Sequence, residues 1–217
     1  MVDTMNNLDY KKVLVISPHT DDAEIACGGT LARLSDQGAV INSIVFSGCE
    51  ESVPKGFPLD VLRDECVKAH SIIGISEANC QVLNFPVRNF PEHRQAILDV
   101  MVKLNRQYQP ELVLIPSIQD THQDHNLIAV EGFRAFKNTT IWAYDCPWNQ
   151  QNPRLNCFVR LKEFELERKI LAISAYESQK GRGYVTEEFI RALSLLRGSS
   201  IREKNAEAFE IVKYIHR

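Results

Sequence analysis

Two short stretches of the chain gather histidine and carboxylate side chains at a spacing that suits a divalent metal ion. The first holds His19, Asp21, Asp22 and Glu24, and the second, residues 120–125, reads Asp-Thr-His-Gln-Asp-His. Neutral imidazole and ionised carboxylate both bind zinc, and a catalytic zinc ion takes three protein ligands and keeps one position for water. The carboxylates and imidazoles of the two stretches, brought close together, would repel or desolvate one another without a cation. We therefore predict one metal site shared by the two stretches.

Hydrophobic patterning predicts that each stretch follows a buried strand. Residues 13–16 and 112–115 are continuously apolar and rich in β-branched side chains, as in strands that are covered on both faces of a parallel sheet. In open α/β sheets, ligands bind beyond the carboxyl ends of such strands. The two strand exits are therefore where we expect the site, with His19, Asp22 and His125 as ligands and Asp21 free beside them.

Strands and helices alternate along the rest of the chain. Apolar runs and helical spacings predict strands at 13–16, 40–46, 81–83, 112–115, 141–144 and 157–161, and helices at 22–34, 59–73, 91–108, 121–136, 164–176 and 187–196. This alternation favours an α/β fold, a doubly wound and mostly parallel sheet with helices on both faces. We expect a single domain over residues 1–217, with its core at about 12–212.

Composition excludes several classes of partner. The net charge of −3 and the pI of about 6.1 provide no basic field for nucleic acid or anionic lipid. No segment approaches the roughly 18 apolar residues of a membrane span, and residues 1–10 lack the apolar core of an export signal. Six cysteines without a Cys-x-x-Cys pair indicate reduced thiols and a cytoplasmic chain. Assembly with further copies of the chain remains open.

The motifs resemble those of a known enzyme family. Residues 18–22 (Pro-His-Thr-Asp-Asp), 27–30 (Cys-Gly-Gly-Thr) and 122–125 (His-Gln-Asp-His) are similar to the two signature motifs of the LmbE/PIG-L de-N-acetylases. The resemblance implies a Rossmann-like three-layer domain. It also implies a zinc-dependent hydrolase that removes an acetyl group from an N-acetylglucosamine conjugate, as in the mycothiol and bacillithiol pathways.

The resemblance continues to the end of the chain but is not complete. The family's later motifs have counterparts in three further places of this chain. They are Glu65 followed by Gly74, residues 176–179 (Tyr-Glu-Ser-Gln) and residues 206–209 (Ala-Glu-Ala-Phe). Three departures stand within the metal motifs, and none removes a proposed ligand: Thr20 and Gln123 replace the usual prolines, and Ala23, followed by Glu24, replaces the usual glutamate.

The resemblance implies a role for each site residue. It makes His19, Asp22 and His125 the ligands of Zn²⁺, although Fe²⁺ or another divalent ion suits the same set. Asp21 would be the general base and then the acid toward the departing amine. Two further catalytic residues are implied: His122 would stabilise the oxyanion as imidazolium or pass a proton, with Asp124 tuning it. Substrate contacts are expected, with less support, at Arg63, Arg88, Ser178 and Gln179.

Other interpretations of the same residues remain. The pattern His19-x-Asp21 with His125 also matches the non-haem Fe(II) oxygenases, which however resemble antiparallel jelly rolls. A catalytically silent module could hold a sugar or a nucleotide at the metal pocket, but an intact Asp21 and His122 count against it. The preferred substrate is a small N-acetylated molecule that contains a sugar.

Secondary expectations concern residues outside the two stretches. We expect the glycine pair at 28–29 to allow close helix packing rather than to cradle phosphate. Segments 88–91, 142–148 and 176–184 could line a sugar pocket. The remaining histidines, His70, His93 and His216, are expected on the solvated surface.

Overall fold

A seven-stranded sheet forms the centre of the computed structural model, which describes residues 7–216. Residues 1–6 and 217 of the predicted domain, and with them most of the segment considered for an export signal, lie outside the described residues. The strands are β1 (Lys12–Ser17), β2 (Val40–Val45), β3 (Cys80–Val82), β4 (Leu112–Pro116), β5 (Thr140–Tyr144), β6 (Cys157–Arg160) and β7 (Ala206–Lys213).

The sheet is mixed but mostly parallel. Its order is β3-β2-β1-β4-β5-β7-β6, with the first five strands parallel and β7 antiparallel to both neighbours. The predicted fold is confirmed, and β7 is an addition that the sequence pattern did not predict. Strand β1 lies at the centre, where helices cover both faces, so residues 13–16 are at most 1% exposed.

Six helices form the two outer layers. They are α1 (Asp22–Asp36), α2 (Val61–Ile73), α3 (Arg94–Tyr108), α4 (Gln123–Ala135), α5 (Glu163–Ser174) and α6 (Glu187–Ser199). Helices α1, α2 and α5 pack together on one face and α3 packs with α4 on the other, which gives one apolar core on each side of the sheet. Within the described residues, no helix is long and apolar enough to cross a membrane.

The strand order explains why two distant stretches meet. After β1 the chain adds β2 and β3 on one side of it, and then crosses to place β4 on the other side. Strands β1 and β4 are parallel neighbours, with Val13 opposite Leu112. Their carboxyl ends therefore open the crevice at which ligands bind in sheets of this kind. The turn after Ser17 and the turn after Pro116 both enter this crevice.

The glycine pair allows close packing at a kink in helix α1. Cys27 departs from helical geometry (φ −139°, ψ 18°), and this kink frees backbone N–H groups in the middle of the helix. The Glu207 carboxylate accepts from the N–H groups of Gly29 and Thr30 at 2.9 and 2.7 Å. A Cβ at Gly29 would lie 2.6 Å from Leu161 Cδ1. The predicted packing role is confirmed.

Candidate active site

Three ligand atoms converge at the crevice between β1 and β4. His19 Nδ1 lies 3.2 Å from His125 Nε2, and Asp22 Oδ2 lies 3.4 Å from each of these two nitrogens. In a tetrahedral zinc site with bonds of about 2.0–2.1 Å, neighbouring ligand atoms are about 3.3–3.4 Å apart. The triangle therefore has the size that a zinc ion or a similar divalent ion requires.

Hydrogen bonds on the opposite ring nitrogens orient the two imidazoles. His125 Nδ1 lies 2.9 Å from Asp120 Oδ2, and His19 Nε2 lies 3.0 Å from Asp124 Oδ2. An ionised carboxylate only accepts, so each of these nitrogens carries a proton. The lone pairs of His19 Nδ1 and His125 Nε2 then face each other and Asp22 Oδ2. Paired carboxylates that orient ligating histidines are a regular feature of metal sites.

The electrostatics of the triangle favour positive charge. Burial opposes a charge on His19, but Asp22 and Asp124 outweigh it and raise the pKa of His19 to about 10. Burial likewise opposes ionisation of Asp22, but His125 and His19 lower the pKa of Asp22 to about 2. Three converging acceptors in a buried crevice are stable only around a cation or a proton. The donor set thus fits a divalent metal ion.

Asp21 stands beside the triangle at the start of helix α1. Its side chain is half-buried and lines the cavity in front of the three acceptors. Burial and the neighbouring Asp22 raise the pKa of Asp21 to about 6, although Arg182 and His19 act in the opposite direction. A carboxylate with a raised pKa can take up a proton near neutral pH and release it again, which a general base must do.

His122 is the N-cap of helix α4. Its Nδ1 accepts from the backbone N–H of Asp124 at 3.2 Å. Burial, followed by the charges of His19 and His125, lowers the pKa of His122. The ring is therefore neutral near pH 7, with its proton on Nε2.

Asp124 is fully buried behind the site and organises a loop as well as His19. Its carboxylate accepts from the backbone N–H groups of Arg88 at 2.6 Å and Phe90 at 3.3 Å. Arg88 adopts a left-handed backbone (φ 68°), which is uncommon for a residue with a side chain. The direct hydrogen-bond partner of the Asp124 side chain is His19. On His122 it acts only through its charge, which partly opposes the lowering of the pKa of that ring.

A cavity of about 180 Å³ opens in front of these groups. One wall is aromatic, because Trp148 stacks on Tyr184 with ring centroids 4.3 Å apart and planes 13° apart. The Arg182 guanidinium donates to the Tyr184 hydroxyl at 2.5 Å. The other lining residues are His19, Thr20, Asp21, Asp22, Ile25, Cys49, Ser52, Leu62, Val87, Arg88, His122, His125, Asn149 and Gln179.

The four expected substrate residues divide into two pairs. Arg88 and Gln179 line the cavity, whereas Arg63 and Ser178 are absent from its described lining. The Arg63 guanidinium donates to Glu50 and Asn84 and to the carbonyl oxygens of Val82 and Leu83.

Ser178 donates its N–H and hydroxyl to the Glu65 carboxylate at 2.9 and 2.6 Å. The serine thus holds the short turn that presents Gln179.

Sequence reasoning missed two kinds of contributor. Asp120 was noted only as one of the acidic residues of the second stretch, and nothing in its spacing shows that it would pair with His125. Trp148, Arg182 and Tyr184 lie in segments expected to line a pocket, but the stacked pair joins two loops far apart in the chain. Only tertiary structure brings such loops together.

The chain is similar in sequence to a family of known proteins. Residues 14–136 match the family model described as PIG-L, GlcNAc-PI de-N-acetylase. The chain belongs to the PIG-L family. Its relative diacetylchitobiose deacetylase from Thermococcus kodakarensis is 25% identical over 228 residues, which cover 94% of this chain and 84% of the relative. Family membership makes this chain an enzyme of the deacetylase type, a hydrolase of amide bonds.

Solved structures show the same fold. The N,N'-diacetylchitobiose deacetylase of Pyrococcus horikoshii superposes with a TM-score of 0.77 at 21% identity, covering 96% of this PIG-L chain and 86% of that chain. The 4-carboxy-2-hydroxymuconate hydratase of Pseudomonas putida KT2440 superposes with a TM-score of 0.75 at 20% identity, covering 95% and 98%. The fold thus carries more than one kind of reaction, and the reaction must be argued from the site.

Proposed function

We propose that this PIG-L chain is a metal-dependent deacetylase that hydrolyses the acetamide of an N-acetylated amino sugar or its conjugate. The observation that carries the proposal is the triangle of His19, Asp22 and His125, with Asp21 and His122 on the cavity side of it. The curated relative from Thermococcus kodakarensis, a diacetylchitobiose deacetylase, supports an amino-sugar substrate.

The metal would be held by His19 Nδ1, Asp22 Oδ2 and His125 Nε2. A divalent ion bound there supplies Lewis acidity, which polarises the amide carbonyl and lowers the pKa of water. Zinc is our first choice, and Fe²⁺ takes the same ligands. Asp120 and Asp124 hold the two imidazoles in the tautomers that this role requires.

Asp21 would move the proton during hydrolysis. Its carboxylate takes a proton from the attacking water as the C–O bond forms, and passes it to the amine nitrogen as the C–N bond breaks. Products are acetate and the free amine. A general base that works near neutral pH needs a pKa close to that range, and burial together with Asp22 raises the pKa of Asp21 to about 6.

His122 would stabilise the negative charge that develops on the carbonyl oxygen. Because Nδ1 accepts from the Asp124 N–H, the neutral ring carries its proton on Nε2 and can donate it as a hydrogen bond. The aromatic pair Trp148 and Tyr184 would form an apolar wall for the face of a sugar ring, with Arg88 and Gln179 as polar contacts.

The test measures acetate and free amine from metal-loaded protein with N-acetylglucosamine and N,N'-diacetylchitobiose. We expect the two products in equal amounts. The Asp21→Asn variant should keep its metal and lose about 10²- to 10⁴-fold in kcat. Asp99→Asn, an exposed position on α3, is the matched control. Near wild-type turnover in Asp21→Asn would refute the assignment of the base.

Other outcomes would overturn the reaction class itself. Oxygen consumption that depends on Fe²⁺ would favour an oxygenase, and metal-dependent hydration of a carbon–carbon double bond would favour a hydratase. Binding of sugar without acetate or amine release, in metal-loaded protein across the substrate panel, would favour a binding module.

A further inference from the structure

A second cluster of reactive side chains lies between helix α2 and strand β3. Cys66 and His70 are one turn apart on α2, and Cys80 is the first residue of β3, at the edge of the sheet. The two sulfurs and a ring nitrogen of His70 lie within 4.8 Å of one another. Sheet register places Cys80 beside Ser43, whose hydroxyl oxygen is 2.7 Å from His70 Nε2. We name these four residues the α2–β3 cluster.

The imidazole of this cluster is fully engaged. His70 Nδ1 lies 2.8 Å from the Cys66 carbonyl oxygen, which only accepts, and 3.0 Å from Glu24 Oε1, so Nδ1 carries a proton. Burial lowers the pKa of His70, but Glu24 outweighs it and raises that pKa to about 9. With Nδ1 donating and Nε2 bonded to Ser43, the ring offers no lone pair to a metal ion. The thiols remain as the reactive groups.

The two thiols differ in reactivity and access. Cys80 is half-buried. A hydrogen bond from Cys66 and the charge of His70 lower the pKa of Cys80 to about 7, although burial acts in the opposite direction. Cys66 is fully buried, and burial raises the pKa of its thiol well above the usual value. An accessible thiolate beside a second, resolving thiol is the arrangement of cysteines that oxidants convert to disulfides.

We propose that Cys66 and Cys80 form an intramolecular disulfide when the chain reacts with a peroxide. The Cys80 thiolate attacks one peroxide oxygen, the O–O bond breaks, and the leaving hydroxide takes a proton to give water and a sulfenic acid on Cys80. The Cys66 sulfur then attacks the Cys80 sulfur, the S–O bond breaks, and the Cys66 proton leaves with the hydroxide as a second water. Two thiols are oxidised while one peroxide is reduced.

The bond would connect a helix to the edge of the sheet. The sulfurs must close from within 4.8 Å to a bond length of about 2.05 Å, and β3 pairs on one side only, with β2. Glu65, which precedes Cys66, holds the turn of Ser178 near the cavity. The modification is separate from the catalytic chemistry, and its test needs no substrate.

The experiment treats the native chain with hydrogen peroxide, alkylates the remaining thiols after denaturation and maps the peptides by mass spectrometry. We expect two of the six thiols to be lost first, in a product that links the Cys66 and Cys80 peptides and lacks two hydrogen atoms. Cys157 is the matched control, because it is also half-buried but burial raises its pKa to about 11. Its oxidation should be slower by about tenfold or more.

Variants separate the two steps. In Cys66→Ser the sulfenic acid on Cys80 should accumulate and be captured by dimedone, and Cys157→Ser should still form the disulfide. The proposal is overturned if the wild-type chain, after treatment with hydrogen peroxide, keeps both thiols while Cys157 is oxidised, or if Cys80 links to another cysteine or to a second chain. It is also overturned if both thiols become reactive only after a chelator is added, since that result would mean a bound metal. The mapping of the parent chain needs no variant to fold.

Discussion

The candidate metal centre and the α2–β3 cluster are built from similar side chains but prepare histidine for opposite uses. At the candidate metal centre, Asp120 and Asp124 each hold one nitrogen of an imidazole, and the other nitrogen faces only acceptor atoms, Asp22 Oδ2 and the second ring. In the α2–β3 cluster, both nitrogens of His70 have partners within the protein. Burial alone does not separate the two, because His125 is 2% exposed and His70 is 0% exposed. The partner on the second nitrogen decides whether a histidine can bind a metal.

Position in the fold produces this difference. His19 and His125 lie in the first turns after strand exits, where the crevice leaves room on one side of each ring. His70 lies in the last turn of α2 and is fully buried, where the carbonyl of Cys66 one turn earlier and the hydroxyl of Ser43 on β2 are within reach. An imidazole on a helix that packs against a sheet finds protein partners for both nitrogens, whereas an imidazole beyond a strand exit keeps one nitrogen facing the crevice.

The largest effect is expected from His125→Ala. This change removes one of the three proposed metal ligands, so the metal content of purified protein, measured by elemental analysis, should fall from one ion per chain to background. Acetate release should fall below detection. His216→Ala, at an exposed position, is the control and should keep both. Equal metal content in the His125→Ala and control proteins would show that His125 does not bind the metal, and the contrast between His125 and His70 would then fail.

The second prediction is that His70→Ala costs stability but not metal. The change leaves the buried Glu24 carboxylate with the Tyr176 hydroxyl but without its cationic partner, and breaking a buried ion pair in this way typically costs about 3–5 kcal/mol of unfolding free energy. Chemical denaturation should report this loss, while elemental analysis still finds one ion per folded chain. The opposite pattern, stable protein without metal, would mean that His70 is part of the metal centre.

The sequence predicted the elements, and it picked out side chains that converge in the fold, because both depend on short-range patterns. Apolar runs indicated six of the seven strands, and ligand motifs place His19 with Asp22, and His122 with His125, within one turn. Strand β7 was not predicted, because the charged residues Glu207, Glu210 and Lys213 interrupt its apolar residues at every third position, which is neither an apolar run nor the alternation of a half-buried strand.

Partners distant in sequence could not be predicted. His70 was expected on the surface, because its helix showed no carboxylate at metal-ligand spacing. It is buried because Glu24 and Ser43, 46 and 27 residues away, come from two other elements. Arg63 and Ser178, which the family resemblance assigns to the substrate, also hydrogen-bond protein groups distant in sequence, Arg63 the Val82 carbonyl oxygen and Ser178 the Glu65 carboxylate. Pairing across elements is a property of the fold, not of local spacing.

The third prediction sharpens the role of Asp120. In Asp120→Asn the charge that polarises the His125 ring is lost, while the size of the side chain stays the same. We expect metal affinity to fall by about 10- to 100-fold, the usual effect of altering a carboxylate behind a ligating histidine. Competition with a chelator of known affinity measures this change, with Asp99→Asn as the control. Unchanged affinity would show that the hydrogen bond at 2.9 Å does not tune the ligand.

The smallest effect is expected from Ser43→Ala, which tests the closed state of His70 most directly. The hydroxyl oxygen lies 2.7 Å from His70 Nε2, and its loss leaves that nitrogen buried without a partner at a cost of about 1–3 kcal/mol. Denaturant unfolding should show this loss, with metal content and turnover unchanged, because the site at the strand exits keeps all its contacts. Ser71→Ala is the matched control, because Ser71 is exposed and follows His70 on helix α2. A stability equal to that of the control would mean that the Ser43 hydroxyl does not stabilise the ring, and Nε2 of His70 would then lack the protein partner that distinguishes His70 from His19 and His125.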